Sequence, residues 1–212
     1  MKIKVCGLKY ADNIADITAL SPDYIGFICY DRSPRFIDDL DKGILQAIPT
    51  GITKTAVFVN EAAETISELI TRYGFDAIQL HGTESPDFCE QFKGKVVVIK
   101  AFGVDEAFAF EQLRPYLNKV DYFMFDTKTP VHGGSGKTFD WAILTKYKLN
   151  VPFFLSGGLS ADNIEEVKSI NHPMLYALDL NSKFETAPAL KDIDKLTQAF
   201  NTIKIYSNEI RS

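Results

Sequence analysis

Tyr122-Phe123-Met124-Phe125-Asp126 decides the fold. Four apolar residues in succession end on a carboxylate, and loop-like Thr127-Lys128-Thr129-Pro130 follows at once. The start of the chain repeats the pattern: Lys2-Ile3-Lys4-Val5 ends on Cys6, with Gly7 behind it. Val96-Val97-Val98-Ile99 is a second continuous apolar run. Strands covered on both faces read this way, and parallel sheets packed between helices are the usual cause.

Working outward, eight such runs recur at intervals of roughly 20–30 residues, the length of a strand plus a helix. They cover residues 3–6, 24–30, 55–60, 77–81, 96–101, 122–126, 152–156 and 175–180. Helical patterns lie between them. Asp12 is expected to cap a helix over 13–20, and residues 61–73 place Ile66, Leu69 and Ile70 at helical spacing. Ser85-Pro86 is an N-cap followed by proline at the first helical position. Ser160 is expected to cap a helix carrying Ile164, Val167 and Ile170. Asp192 is expected to cap a last helix with Ile193, Leu196, Phe200 and Ile203 on one stripe. No linker, low-complexity segment or composition shift divides the chain, so residues 1–212 are expected to form one domain. Eight strand–helix units predict a (β/α)8 TIM barrel of the α/β class, small for its kind. An open doubly wound sheet is the alternative. Its dinucleotide fingerprint is missing, because Phe139 stands where the last glycine would be. A P-loop around Gly136-Lys137-Thr138 fails as well, since Val131 occupies its first glycine position.

Composition narrows the partners. A net charge of -5 argues against a surface that coats nucleic acid. No apolar run approaches the roughly 18 residues of a membrane span. The opening residues read as a strand and not as a secretory leader. Cys6, Cys29 and Cys89 show no paired spacing, which suits reduced thiols and a cytoplasmic location. His81, His132 and His172 show no metal-ligand spacing.

In a barrel, strand ends on one face converge on a single pocket. Cys6, Arg35, His81, Asp126 and Asp179 all fall on or just after strand ends. A thiol and a carboxyl placed there can serve as base and acid on one substrate. The loops after the seventh and eighth strands, Ser156-Gly157-Gly158-Leu159-Ser160 and Asp179-Leu180-Asn181-Ser182, suit an anion, because glycines let backbone N–H groups approach it. Each residue also has a plainer role: Cys6 as a small buried hydrophobe, Asp126 as a turn initiator, Arg35 as a solvated loop charge, Gly157-Gly158 as a simple turn. Cys29 and Cys89 read as packing residues, and Trp141 as a helix-to-barrel contact.

Several segments together resemble the phosphoribosylanthranilate isomerase family of tryptophan biosynthesis. They include Lys4-Val5-Cys6-Gly7-Leu8, Ser33-Pro34-Arg35, Ile78-Gln79-Leu80-His81-Gly82, Phe125-Asp126-Thr127, Gly136-Lys137-Thr138-Phe139-Asp140-Trp141 and Leu155-Ser156-Gly157-Gly158. They are collinear over nearly the whole chain. The resemblance implies an Amadori rearrangement of a phosphosugar by general acid/base catalysis, without cofactor or metal. Asp126 would be the acid and Cys6 the base. Arg35, His81 and Asp179 would bind substrate, and Gly157, Gly158, Asn181 and Ser182 its phosphate. The expected partner is the small phosphosugar, with neither nucleic acid nor membrane, and the assembly a monomer or homodimer. The sequence departs from the family at Lys183 and Ala189, where relatives usually carry glycine, so the phosphate contacts of the eighth unit stay open.

A free thiol is only about 3% thiolate at pH 7, and a free aspartate is almost wholly ionised. The reaction therefore predicts a lowered Cys6 pKa and a raised Asp126 pKa. Two other readings remain at this point: an isomerase of the histidine pathway, which uses paired aspartates, and a phosphate-ligand binding protein without turnover.

Overall fold

The computed structural model describes residues 1–128 and 139–209, the side chains of 206–209 apart. His132 and the glycine-rich stretch 133–138 lie outside the described residues. Eight parallel strands close on themselves in chain order. They are β1 (Lys2–Cys6), β2 (Tyr24–Ile28), β3 (Thr53–Phe58), β4 (Ala77–Leu80), β5 (Val97–Val104), β6 (Tyr122–Thr127), β7 (Phe153–Leu155) and β8 (Leu175–Leu180). Pairing of Lys2 with Ala177 and of Lys4 with Asp179 joins the last strand to the first. That closure excludes the open sheet. Every strand lies within two or three residues of its expected bounds.

Each strand has two buried faces because alternate side chains point to opposite sides. Ile3, Val5, Phe123, Phe125, Phe153 and Leu155 pack outward into the main core, beneath the helices. Tyr24, Ile99, Ala101, Met124, Phe154 and Ala177 pack inward and fill the barrel. The same period carries each strand's next inward residue to the C-terminal rim. Asp126 follows Met124, and Asp179 follows Ala177; on β1 Cys6 follows Lys4.

The outer layer is less regular than expected. α1 (Ala11–Ala19), α2 (Lys42–Ala47), α3 (Ala63–Tyr73), α4 (Pro86–Glu90) and α5 (Ile193–Glu209) are α-helical. Short 3₁₀ turns follow β5, β6 and β7, at Phe110–Tyr116, Trp141–Lys146 and Ile164–Ser169. Asp12 does not cap α1: Tyr10 holds that position, and Asp12 sits in the first turn, where its charge still favours the helix dipole. Ser160 does not cap with its side chain either. Its carbonyl accepts from Ile164 N at 3.0 Å, and its own N–H donates to Asn163 Oδ1 at 2.8 Å. Ser85 Oγ does accept from Phe88 N at 3.2 Å, and Asp192 Oδ1 from Lys195 N at 3.1 Å, so those caps stand. Trp141 packs against the outer core. An unexpected hairpin, β9 (Glu185–Ala187) with β10 (Leu190–Lys191), follows the last barrel strand. Among the described residues no helix is long and apolar enough to cross a membrane.

Candidate active site

The C-terminal rim holds a pocket lined by Cys6, Gln79, His81, Asp126, Ser156, Asp179 and Asn181, with Ile28, Tyr30 and Val57 as part of its apolar wall. Five of the residues that the sequence points to therefore meet: Cys6, His81, Asp126, Asp179 and Asn181. Ser156, expected only as part of the anion loop after the seventh strand, joins them, and so does Gln79, which was given no site role. Both occupy inward positions at the ends of their strands, and that alternation is the signal that could have found them.

Asp126 is held on two sides. Its Oδ1 accepts from Thr127 N at 2.8 Å, and its Oδ2 lies 3.3 Å from His81 Nε2. Gln79 Nε2 lies 2.9 Å from His81 Nδ1, so the amide fixes the ring with its Nε2 edge turned to the carboxylate. Gly157, at φ +87°, is the close neighbour: a Cβ there would stand 2.6 Å from Asp126 Oδ1. Gly158 follows, also at positive φ. The turn thus requires glycine for backbone geometry and for access to Asp126, whether or not an anion binds.

Cys6 sits in the barrel interior beside a buried ion pair. Lys4 Nζ lies 2.7 Å from Asp179 Oδ1, with the two side chains 0% and 4% exposed. Ser156 Oγ donates to Asp179 Oδ2 at 3.3 Å. Asp179 is thus engaged by Lys4 as well as lining the pocket. Lys4 is a further residue that the sequence reading misses, although its place two residues before Cys6 on an inward face is visible there. Burial pushes the Cys6 thiol up; Lys4 pulls it down, Asp179 pushes it up and Lys191 pulls it down, and the balance is upward. The expected lowering of this thiol is therefore overturned. Desolvation inside a filled barrel outweighs the cation beside it.

Arg35 does not line the pocket. Its Nε donates to Glu185 Oε1 at 2.9 Å and Oε2 at 3.1 Å, and its Nη2 to Oε2 at 2.6 Å. Ser182 begins a short 3₁₀ turn, Ser182–Phe184, beyond the pocket-lining Asn181. Lys183 and Ala189 lie on either side of Glu185. Ala189 holds φ +67°, in the left-handed region that favours glycine.

The sequence matches the N-(5'-phosphoribosyl)anthranilate (PRA) isomerase family over residues 3–202. It is 44% identical to the N-(5'-phosphoribosyl)anthranilate isomerase of Parabacteroides distasonis over 199 residues, 92% of this chain and 90% of the relative. It is 38% identical to that of Phocaeicola vulgatus, over 96% of this chain and 98% of the relative. The fold superimposes on the Thermus thermophilus phosphoribosyl anthranilate isomerase with a TM-score of 0.84 at 28% identity, covering 97% and 99% of the two chains. A further isomerase, solved with reduced 1-(o-carboxyphenylamino)-1-deoxyribulose 5-phosphate, superimposes with a TM-score of 0.79 at 26% identity, covering 96% and 98%.

Proposed function

The chain belongs to the N-(5'-phosphoribosyl)anthranilate isomerase family, and from that premise we propose how its own residues carry the reaction. It is an isomerase of tryptophan biosynthesis, converting N-(5-phosphoribosyl)anthranilate to 1-(2-carboxyphenylamino)-1-deoxyribulose 5-phosphate. Asp126 is the general acid. Its proton passes to the ribose ring oxygen as the C1′–O bond breaks, and the anthranilate nitrogen lone pair closes a Schiff base. Cys6 is the general base. Its thiolate takes the C2′ proton, the electrons move into an enolamine, and tautomerisation gives the ketone. His81 holds Asp126 in orientation, with Nε2 turned to Oδ2.

The observation that carries this reading is the meeting of Cys6 from β1 and Asp126 from β6 in one pocket, beside His81 from the end of β4. Arg35 stands outside the pocket lining but across Gly7 from Asn181, and with its Nε/Nη2 edge on Glu185 it takes the anthranilate carboxylate on its other edge. The N–H groups of Gly157 and Gly158 take the phosphate with Asn181 and Ser182, and Asp179 lines the sugar site and anchors Lys4. Residues 1–212 act as a single catalytic domain in the cytoplasm. The assembly is a monomer or homodimer; a Thermotoga maritima relative is described as dimeric.

The test is the loss of anthranilate fluorescence when protein is added to phosphoribosylanthranilate. The unsubstituted chain is expected to turn it over, and Cys6→Ala and Asp126→Asn each to lose at least about 100-fold in kcat, the lower range for a positioned acid or base. Because the Cys6 thiol is pushed up, kcat/KM is expected to climb as pH rises above neutral. A variant that keeps kcat within tenfold, or a rate that falls over that range, would remove the assignment.

A further inference from the structure

Glu185 opens the hairpin after β8 and is absent from the acid/base scheme. Its side chain is 5% exposed, and its carboxylate is held by three residues. Arg35, itself 12% exposed, meets it through Nε and Nη2. Lys191 Nζ donates to Oε1 at 2.6 Å, and Ala189 N donates to the same oxygen at 3.1 Å. Lys191 reaches a second acceptor, Asn181 Oδ1, at 2.7 Å. The backbone of Lys191 is clamped in turn by Asn13 of α1, which donates to its carbonyl at 3.0 Å and accepts from its N–H at 2.7 Å. Chain atoms close in from the other side: a Cβ on Gly7 would stand 2.7 Å from Arg35 Cδ and 2.8 Å from Asn181 Oδ1.

This wiring decides which donors remain available. A guanidinium carries five N–H groups in a planar fork. Glu185 takes the Nε/Nη2 edge side-on, and the Nη1/Nη2 edge has no partner among the described residues. That free edge has the spacing to take a second carboxylate in a two-point grip. Asn181 is fixed likewise: with its Oδ1 bound to Lys191, its Nδ2 is the end left for the pocket it lines. The cluster holds two cations and one anion, so it keeps a surplus positive charge beside a site for an anionic ligand. Burial pulls Lys191 down to about 8 against the pull of Glu185, so the ammonium is retained at neutral pH.

We infer that Glu185 is a positioning residue that holds the Arg35 guanidinium by one edge and, through Lys191, the Asn181 amide, so that the donors for the two anionic ends of the substrate stand in fixed register. The inference rests on the carboxylate role given to Arg35 above. It gives the hairpin a purpose, since β9 and β10 bring Glu185 and Lys191 together and α1 anchors them.

The probes are reduced 1-(o-carboxyphenylamino)-1-deoxyribulose 5-phosphate and the same compound without its ring carboxylate, titrated by calorimetry into the unsubstituted chain and into Glu185→Gln. The unsubstituted chain is expected to prefer the carboxylate ligand by about tenfold or more, the scale of one charge-assisted grip. Glu185→Gln is expected to lose most of that preference, because the guanidinium is no longer pinned. A merely structural role would weaken both ligands alike and leave the ratio unchanged. Glu185→Asp keeps the charge on a shorter arm and serves where the glutamine variant does not fold; a partial loss of the ratio is expected. A folded variant that keeps the full preference overturns the inference. Equal affinity of the unsubstituted chain for both ligands removes the Arg35 assignment and this inference with it.

Discussion

Replacing Lys4 by methionine removes a cation from the barrel interior while keeping most of its volume. In the parent, Lys4 Nζ and Asp179 Oδ1 stand 2.7 Å apart with almost no exposure. After the change Asp179 retains Ser156 Oγ at 3.3 Å as a hydrogen-bond donor. A buried charge left without its partner costs about 3–5 kcal/mol. With a urea dependence of about 2 kcal/mol per molar, the unfolding midpoint is expected to fall by roughly 1.5–2.5 M. The double variant Lys4→Met/Asp179→Leu is expected to recover much of that loss, since an apolar pair of similar volume often matches a buried ion pair. The pH dependence follows from the direction of the Lys4 shift. Burial pulls its ammonium down, Asp179 and Cys6 push it up, and the balance lies above 10.5. A group raised on folding contributes stability that is present below its unfolded pKa and lost only as pH rises through the folded one. The gap between parent and Lys4→Met should therefore be the same at pH 7 and pH 9. A second assay reads Cys6. Without Lys4 its thiol moves further up, so alkylation by iodoacetamide at a fixed pH near 8 is expected to slow. Urea midpoints that agree within about 0.5 M, equivalent to about 1 kcal/mol, would refute the argument that this pair is needed to hold Asp179.

Two glycine substitutions test the packing around the acid and the base. At Gly26 a Cβ would stand 2.5 Å from Cys6 Sγ and 3.1 Å from Cys6 Cα, so Gly26→Ala is expected to displace the thiol. Overpacking of this kind costs about 1–3 kcal/mol, and kcat should fall by about tenfold or more with a smaller change in KM; kcat within twofold of the parent would count against it. Gly157→Ala combines an unfavourable φ of +87° with a clash at Asp126 Oδ1. A loss of about 1–2 kcal/mol in stability is expected from the backbone alone, together with a fall in kcat, and an unchanged urea midpoint would exclude the strain.

The outer layer shows where local signals run out. Ser85 and Asp192 cap as expected because an N-cap needs only a short side chain and the next turn of backbone. Asp12 and Ser160 carry the same chemistry and do not cap, since the loops entering those segments place Tyr10 and Asn163 at the boundary instead. The turns after β5, β6 and β7 take the tighter 3₁₀ form, although the stretch after β7 reads as an ordinary helix. Hydrophobic spacing reports which face is buried and says little about how tightly a short segment winds.

What this chain's sequence determined by itself is everything that depends on neighbours along the strand. Continuous apolar runs mark strands buried on both faces, their spacing marks eight units, and the residue closing each run marks the rim, so the rim positions of Cys6 and Asp126 are legible in the sequence alone. Pairings across the barrel are not. Lys4 meets Asp179 175 residues away, and Arg35 meets Glu185 150 residues away. Those contacts exist because the sheet closes and the hairpin after β8 brings Glu185 against Arg35. The direction of the thiol's shift escaped the sequence for the same reason: sequence shows that a cation is near, and only the closed barrel determines how completely the sulfur is stripped of water.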